Sequence, residues 1–259
     1  MFKYFIWVLK VILPAIYHYP WIFRYSRHPE KYPLELRYKR VRALVLQFLK
    51  ILKVDPIAVN MPKLLPNQKV YLVSNHVSFF DPIVMIALSE QPITFVSKIE
   101  TRKFIFVGRV IRIIDGVFIE RGNLKQEIKM MQEIKQSLMT QNMSWAIFPE
   151  GTRNKNYEAP MGDFKAGSFK LPLSTNVPIL PVAIWGSQTV LPTKIHWKRY
   201  PIYVHYLPII QPKDFNGNTQ ELAASTKNLI QEEVNKLRAQ YPQLVAKYSK
   251  NKDFIQYLK

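Results

Sequence analysis

A histidine and a carboxylate five positions apart, His76 and Asp81, are the residues of this chain whose types and spacing best suit acid–base chemistry. They lie in Ser74-Asn75-His76-Val77-Ser78-Phe79-Phe80-Asp81-Pro82. Before this stretch, Val70-Tyr71-Leu72-Val73 reads as a short buried strand; after it, Pro82–Leu88 reads as the opening of a helix. In a continuous helix, five residues turn through about 140° and the two side chains diverge. In a strand-to-helix turn the chain folds back, and the carboxylate can reach the ring. Ser78 or Asp81 is then the expected N-cap, with Pro82 in the first turn, where proline is tolerated. An Asp that accepts from Nδ1–H leaves Nε2 as a base, and the unperturbed imidazole pKa of about 6.5 suits that task near neutral pH.

A second set of residues is suited to binding an anion. Phe148-Pro149-Glu150-Gly151-Thr152-Arg153 follows an apolar run, Ser144–Phe148. Its arginine therefore lies beyond the carboxyl end of a strand, where ligands bind in open α/β sheets. Gly151 permits a tight turn and close approach of backbone N–H groups. Arg121 follows the run Val117–Ile119 and is expected to reach the same place, and the guanidinium fork of both arginines suits a group such as phosphate.

The elements that must position these groups alternate. Short apolar runs at 70–74, 93–97, 117–119, 144–148, 179–184 and 202–207 are separated by amphipathic segments. That alternation predicts an α/β fold, a mixed sheet flanked by helices on both faces. The helix expected at 124–140 has Leu124, Ile128, Met131, Ile134 and Leu138 on one face and a capping box of Asn123 with Gln126. Another is expected at 219–239. Asp55-Pro56 and the stretch from Pro62 to Pro66 read as a linker. They divide an N-terminal helical module, 1–55, from an α/β domain, 56–259.

The module reads as membrane-binding. Residues 4–23 are apolar and aromatic, but Lys10 interrupts them and Pro14 and Pro20 break the run. A central lysine costs about 2.5–3.5 kcal/mol in a spanning helix, so the interface suits this segment better than the bilayer centre. No small-residue cleavage site follows, and a removed signal peptide is not expected. In residues 34–54, Val41, Leu44, Val45, Phe48, Leu49 and Leu52 form an apolar face. Arg37, Lys39, Arg40, Arg42, Lys50 and Lys53 form a basic remainder. Such a helix is expected to lie flat on anionic lipid; the ordinary alternative is a surface helix packed on the domain.

Composition narrows the chemistry. The 259 residues carry 37 basic and 18 acidic side chains, a net charge of +19 that requires an anionic partner. Residues 1–55 hold 11 Lys/Arg against 3 Asp/Glu, beside the apolar stretch, which favours a membrane. No RNP, zinc-finger or basic-zipper pattern supports nucleic acid. The absence of cysteine excludes disulfides, thiolate metal sites and a Cys nucleophile. No metal-ligand spacing such as H-E-x-x-H occurs, and no bound metal or cofactor is expected. Neither a G-x-S-x-G elbow nor a P-loop is present.

Asn75-His76-x4-Asp81, Gly116-Val117-Phe118-Ile119-Glu120-Arg121, Phe148–Arg153 and Val177-Pro178-Ile179-Leu180-Pro181-Val182 stand in that order. Together they resemble the four ordered motifs of the glycerophospholipid acyltransferases, most closely the bacterial lysophosphatidate acyltransferases. The resemblance spans roughly residues 70 to 185. It implies direct transfer of an acyl chain from acyl-CoA or acyl carrier protein to the sn-2 hydroxyl of 1-acyl-glycerol-3-phosphate, at the cytoplasmic face of a membrane. His76 and Asp81 would form the catalytic dyad. Gly116, Arg121, Glu150, Gly151 and Arg153, with neighbouring Thr152, would bind the acceptor, and Lys98 and Lys165 would stand near its phosphate. Asn75 would orient the turn or donate to the oxyanion. Glu120 and Asn154 replace the family's frequent Asp and Ser. Rival readings are transfer to glycerol-3-phosphate or another lysophospholipid, hydrolysis by the same dyad, and a non-catalytic basic membrane-binding protein.

Overall fold

The structure, a computed structural model, describes residues 2–65, 67–120, 122–190 and 199–250. In chain order the elements are α1 (Phe2–Arg27), α2 (Leu34–Leu52), β1 (Val54–Val59), β2 (Tyr71–Ser74), α3 (Phe80–Leu88), β3 (Ile93–Lys98), α4 (Ile105–Ile113) and β4 (Val117–Ile119). They continue with α5 (Leu124–Thr140), β5 (Ser144–Ile147), α6 (Lys170–Thr175), β6 (Ile179–Trp185), β7 (Tyr200–Tyr206) and α7 (Thr219–Lys250).

The strands form one sheet in the order β1-β7-β6-β2-β5-β3-β4. All neighbours are parallel except β6 and β7, which run antiparallel. This is the mixed α/β architecture expected. Side chains alternate between the two faces, as the strand period of two requires. Leu72, Leu180, Val182, Ile184, Ile202 and Val204 join the core beneath the first four helices. Tyr71, Val73, Ile179, Ala183, Trp185 and Tyr203 join the core beneath α5, α6 and α7. Every residue of β6 is buried, which is why the central strands read as continuous apolar runs.

Two expectations are corrected. Asp55-Pro56 lies within a strand: β1 pairs in parallel with β7, Val54 opposite Tyr200 through Val59 opposite His205. Proline signals a break in a central strand but is tolerated on an edge strand, which is where β1 sits. Asp55 is held there by Arg199, whose guanidinium donates to both carboxylate oxygens.

The second correction concerns α2. Its apolar face does not turn to lipid; Val41, Leu44, Val45, Leu49 and Leu52 are buried in the core against α3 and β1. Arg37, counted above among the lipid-facing basic residues, is 5% exposed. It forms a fork to Asp115 at 2.7 and 2.8 Å and also donates to the Ile113 carbonyl. Arg42 donates to the Ala87 carbonyl at 3.0 Å. An amphipathic pattern states only that one face must be covered; here the sheet and α3 cover it.

Helix α5 has the expected span, and Asn123 caps it by accepting from the Gln126 amide at 3.3 Å. The reciprocal half of the capping box is absent, since the Gln126 side chain turns to Glu120 instead. Ile134 and Leu138 are buried, whereas Ile128 is 50% exposed, so only the later turns of α5 pack. Helix α7 continues past the expected end at 239 to Lys250, with Pro242 inside it.

Candidate active site

Strand β2 lies between two parallel neighbours, β5 and β6. The carboxyl ends of all three therefore meet at one edge of the sheet, and each contributes to one cluster. The segment after β2 supplies Asn75, His76 and, across the turn, Asp81. The loop after β5 supplies Phe148 through Asn154. The segment after β6 supplies Ser187.

Within the turn, His76 Nδ1 lies 2.8 Å from Asp81 Oδ2. The same oxygen accepts from the backbone N–H groups of Val77 and Ser78, each at 2.8 Å. Asp81 thus closes the turn ahead of it rather than capping α3, and Ser78 Oγ accepts the Phe80 amide at 3.3 Å. The other carboxylate oxygen, Oδ1, accepts from Ser187 Oγ at 2.5 Å. Asp81 and Ser187 are fully buried, whereas the His76 side chain is 19% exposed. A buried carboxylate is tolerable only when its oxygens are hydrogen-bonded, and here four donors satisfy it. The imidazole is held with one nitrogen against a buried acceptor. Nε2 is the nitrogen available to take a proton.

The ring is fixed from the side as well. Phe148 stacks on it with centroids 4.2 Å apart and planes at 21°. The His76 peptide is gripped from both ends by the loop after β5. Its N–H donates to Glu150 Oε1 at 2.8 Å, and its carbonyl accepts from the Asn154 amide at 2.8 Å. The second oxygen of Glu150 accepts from the Gly162 amide at 3.0 Å. Burial pushes the Glu150 carboxyl above its ordinary value of 4.5, against the opposing pull of these two amides. The structure therefore gives Glu150 the task of tying two loops to the histidine turn. Asn75 is likewise committed: its amide exchanges two hydrogen bonds with the Ile184 backbone, at 2.9 and 2.8 Å, fastening the turn to β6.

Basic groups stand on the histidine turn and on the loop after β5. Arg153 lies over the Phe79 ring with its guanidinium carbon 3.6 Å from the centroid, and Phe79 is 52% exposed. Gly151 has a φ of +71°, and a Cβ there would stand 3.1 Å from Lys165 Nζ. A glycine at this position thus serves both the turn and the passage of the Lys165 side chain. Thr152, exposed, lies between them. Lys98 is farther out, at the end of β3, paired with Glu100 at 2.8 Å on the surface. Gly116 directly precedes β4 and lies near the Phe95 carbonyl; a Cβ there would meet Ile111 Cγ2 at 2.6 Å, so its lack of a side chain serves packing. Arg121 lies outside the described residues.

Ser187 and Phe148 were not singled out as site residues in the sequence. Phe148 carries a signal, an aromatic residue ending a strand directly before Pro-Glu-Gly. Ser187 carries none, since only the adjacency of β6 to β2 brings it within reach across 106 positions. Ser187→Ala should leave a buried carboxylate oxygen without its donor. The expected cost is about 1–3 kcal/mol of stability, together with a fall in kcat, because Asp81 loses one of the donors that fix it against the ring. Chemical denaturation and steady-state kinetics check both; an unchanged kcat would separate Ser187 from the dyad.

A family model described as Acyltransferase matches residues 56–185. A Mycoplasma pneumoniae protein named "Probable 1-acyl-sn-glycerol-3-phosphate acyltransferase" is 33% identical over 232 residues, covering 85% of this chain and 84% of its own length. The 1-acyl-sn-glycerol-3-phosphate acyltransferase of Borreliella burgdorferi is 28% identical over 156 residues, 58% of each chain. In fold, the chain is similar to the crystal structure of the 1-acyl-sn-glycerophosphate acyltransferase of Thermotoga maritima, with a TM-score of 0.70 at 23% identity. That likeness covers 92% of this chain and 97% of the other. A site built by three neighbouring strand ends, within a matched segment that contains His76, Asp81, Glu150 and Arg153, places the chain: it belongs to the acyltransferase family, alongside the 1-acyl-sn-glycerol-3-phosphate acyltransferases.

Proposed function

We propose that this enzyme transfers a fatty acyl chain from a thioester donor, acyl-CoA or acyl carrier protein, to the sn-2 hydroxyl of 1-acyl-sn-glycerol-3-phosphate, giving phosphatidic acid. The observation that carries this reading is the His76–Asp81 pair, at 2.8 Å, in a turn whose Phe79 ring carries Arg153. A glycerol hydroxyl is a poor nucleophile at neutral pH and needs a base during attack. Nε2 of His76 takes the hydroxyl proton as oxygen bonds to the thioester carbonyl carbon. Asp81 stabilises the imidazolium that forms, in the manner of the carboxylate in a hydrolase triad. When the tetrahedral intermediate collapses, the C–S bond breaks and the departing thiolate takes the proton back from Nε2. No covalent acyl-enzyme is required.

Arg153 and Lys165 supply positive charge for the acceptor phosphate. Phe79 supports the guanidinium plane and leaves its N–H edges for phosphate oxygens. Arg121 is proposed to join them. Arg153→Lys keeps the charge but loses the planar fork and the stacking, so KM for the acceptor should rise about tenfold or more with kcat less affected. Steady-state kinetics over acceptor concentration test this, and an unchanged KM would remove Arg153 from the binding site.

The wider reading is tested by a donor-by-acceptor matrix: acyl-CoA and acyl carrier protein against lysophosphatidate, glycerol-3-phosphate, another lysophospholipid, and no acceptor. Phosphatidic acid as the dominant product supports the proposal. Preference for another acceptor, or free fatty acid released at full rate without one, overturns it. A lipid acceptor also places the protein at a membrane surface, for which we propose the cytoplasmic face. No described helix is long and apolar enough to cross a membrane.

A further inference from the structure

The chain from Phe148 to Lys165 has no regular element between β5 and the single turn at Ala166–Phe169. A connection of that length in a compact domain is usually functional, and its backbone polar groups must all find partners. Two of its side chains, Met161 and Phe164, are buried in the core beneath α5, α6 and α7. Much of the remainder is held by one stripe of α7.

Lys227, Gln231 and Arg238 lie within about 40° of one another around that helix, at 3.6 residues per turn. Ile230, Val234 and Leu237 beside them are buried, so the stripe stands on a helix fixed to the core. All three polar side chains reach the same loop. Arg238 donates to the Tyr157 and Glu158 carbonyls at 3.2 and 2.9 Å. Lys227 pairs with Asp163 at 2.6 Å, but that carboxylate is 99% exposed, and an exposed pair contributes little. Gln231 holds backbone instead. Its Oε1 accepts from the Met161 amide at 2.7 Å, and its Nε2 donates to Asn235 Oδ1 at 2.9 Å, which sets the direction of the side-chain amide.

The residue after Met161 is Gly162, whose N–H donates to Glu150 Oε2 at 3.0 Å. Glu150 Oε1 in turn accepts from the N–H of His76 at 2.8 Å. Two consecutive amides of one backbone are thus aimed apart, the first at α7 and the second at the carboxylate that grips the histidine turn. Lys165 is fastened separately, its N–H donating to the Pro149 carbonyl at 3.1 Å. A displacement of Met161 therefore passes to Glu150 before it reaches Lys165.

We propose that Gln231 is a positioning residue for the base: through the Met161–Gly162 backbone and Glu150 it sets, from α7, the place of the His76 peptide and hence of Nε2. This rests on the reading above that His76 takes the acceptor's proton. It gives a part in turnover to a helix that lies outside the segment matched by the family model, 56–185. Proton transfer needs its heavy atoms within about 2.6–3.2 Å, so a small shift of the turn is felt in the rate.

Gln231→Met removes the acceptor at nearly constant bulk, Gln231→Ser removes it by shortening, and Gln231→Glu keeps an oxygen in its place. Steady-state kinetics in detergent, with whichever acceptor the wild type turns over best, are read beside circular-dichroism melts. The Met and Ser variants should lose kcat about tenfold while the acceptor KM stays within about twofold, since the group displaced is the base and not the phosphate grip. Gln231→Glu should return kcat to near the wild-type value. Lys227→Met, which loosens the same loop at its exposed pair, should leave kcat unchanged. Wild-type kcat in a folded Gln231→Met or Gln231→Ser enzyme overturns the proposal. So does a loss confined to KM, a Gln231→Glu enzyme as slow as Gln231→Met, or an equal fall in Lys227→Met. A wild type that prefers an acceptor other than lysophosphatidate would instead strike the proposed reaction and leave these ratios standing.

Discussion

Replacing His76 with alanine should lower the rate of acyl transfer about 10²–10⁴-fold, the usual contribution of a positioned general base, while the protein stays folded. The structure separates those two outcomes. Asp81, the buried charge that could destabilise the turn if abandoned, keeps the amides of Val77 and Ser78 and the hydroxyl of Ser187 after the imidazole is gone. The grips on the His76 peptide by Glu150 and Asn154 are made to the backbone and survive any side-chain change there. What disappears is the ring that takes the proton, so kcat and kcat/KM should fall together. Asp81→Asn is the informative companion. An asparagine can turn its carbonyl oxygen to the three donors at the Oδ2 position and its amide toward Ser187, whose oxygen can accept. The geometry then persists without the charge, and the loss of rate measures how much that charge stabilises the imidazolium. Single-turnover assays beside circular dichroism check both variants. A folded His76→Ala enzyme retaining more than about a tenth of wild-type kcat would end the assignment of His76 as base.

The second large effect is on stability. Gly186 should not tolerate even a methyl group: Gly186→Ala is expected to destabilise the fold by about 2–5 kcal/mol, through left-handed backbone strain and overpacking together. Its φ is +100°. A Cβ there would stand 2.6 Å from the Pro201 carbonyl oxygen and 2.6 Å from the Tyr241 hydroxyl. The first is backbone of β7 and cannot swing away. The second is a fixed group, since the Tyr241 hydroxyl donates to that same carbonyl at 2.9 Å and holds α7 to the sheet. Burial pushes this phenol up to about 12, so it remains a donor throughout the working pH range. For a chain of this size the expected fall in Tm is about 5–15 °C. The neighbouring residue is Ser187, so any shift that relieves the clash also loosens the donor to Asp81, and activity should fall ahead of unfolding. Scanning calorimetry with activity measured over the same temperatures tests this. Melting within about 2 °C of wild type would mean that the turn after β6 is far softer than its contacts imply.

The sequence alone determined what is local. The His76–Asp81 turn was legible because five residues between a strand and a helix leave few ways for the chain to fold, and the carboxylate closes its own turn. The central strands were legible because a strand covered on both faces must be apolar throughout. Helix α5 declared its start through Asn123, a cap that acts over three residues. Everything that depended on what packs against what was decided by the tertiary structure. The pattern in α2 required cover but did not name it, and burial against α3 and β1 turned a lipid-facing expectation into a core helix. Pro56 marked a break because proline removes one ladder donor; only the edge position of β1 makes that loss harmless. Glu150 was read as a group facing substrate, yet both its oxygens hold backbone amides of distant segments. Ser187 had no sequence signal at all, because its partner is set by the order of strands in the sheet and not by its neighbours in the chain. Local backbone chemistry is written in adjacent residues, whereas the partner of a buried polar group is chosen by the arrangement of whole strands.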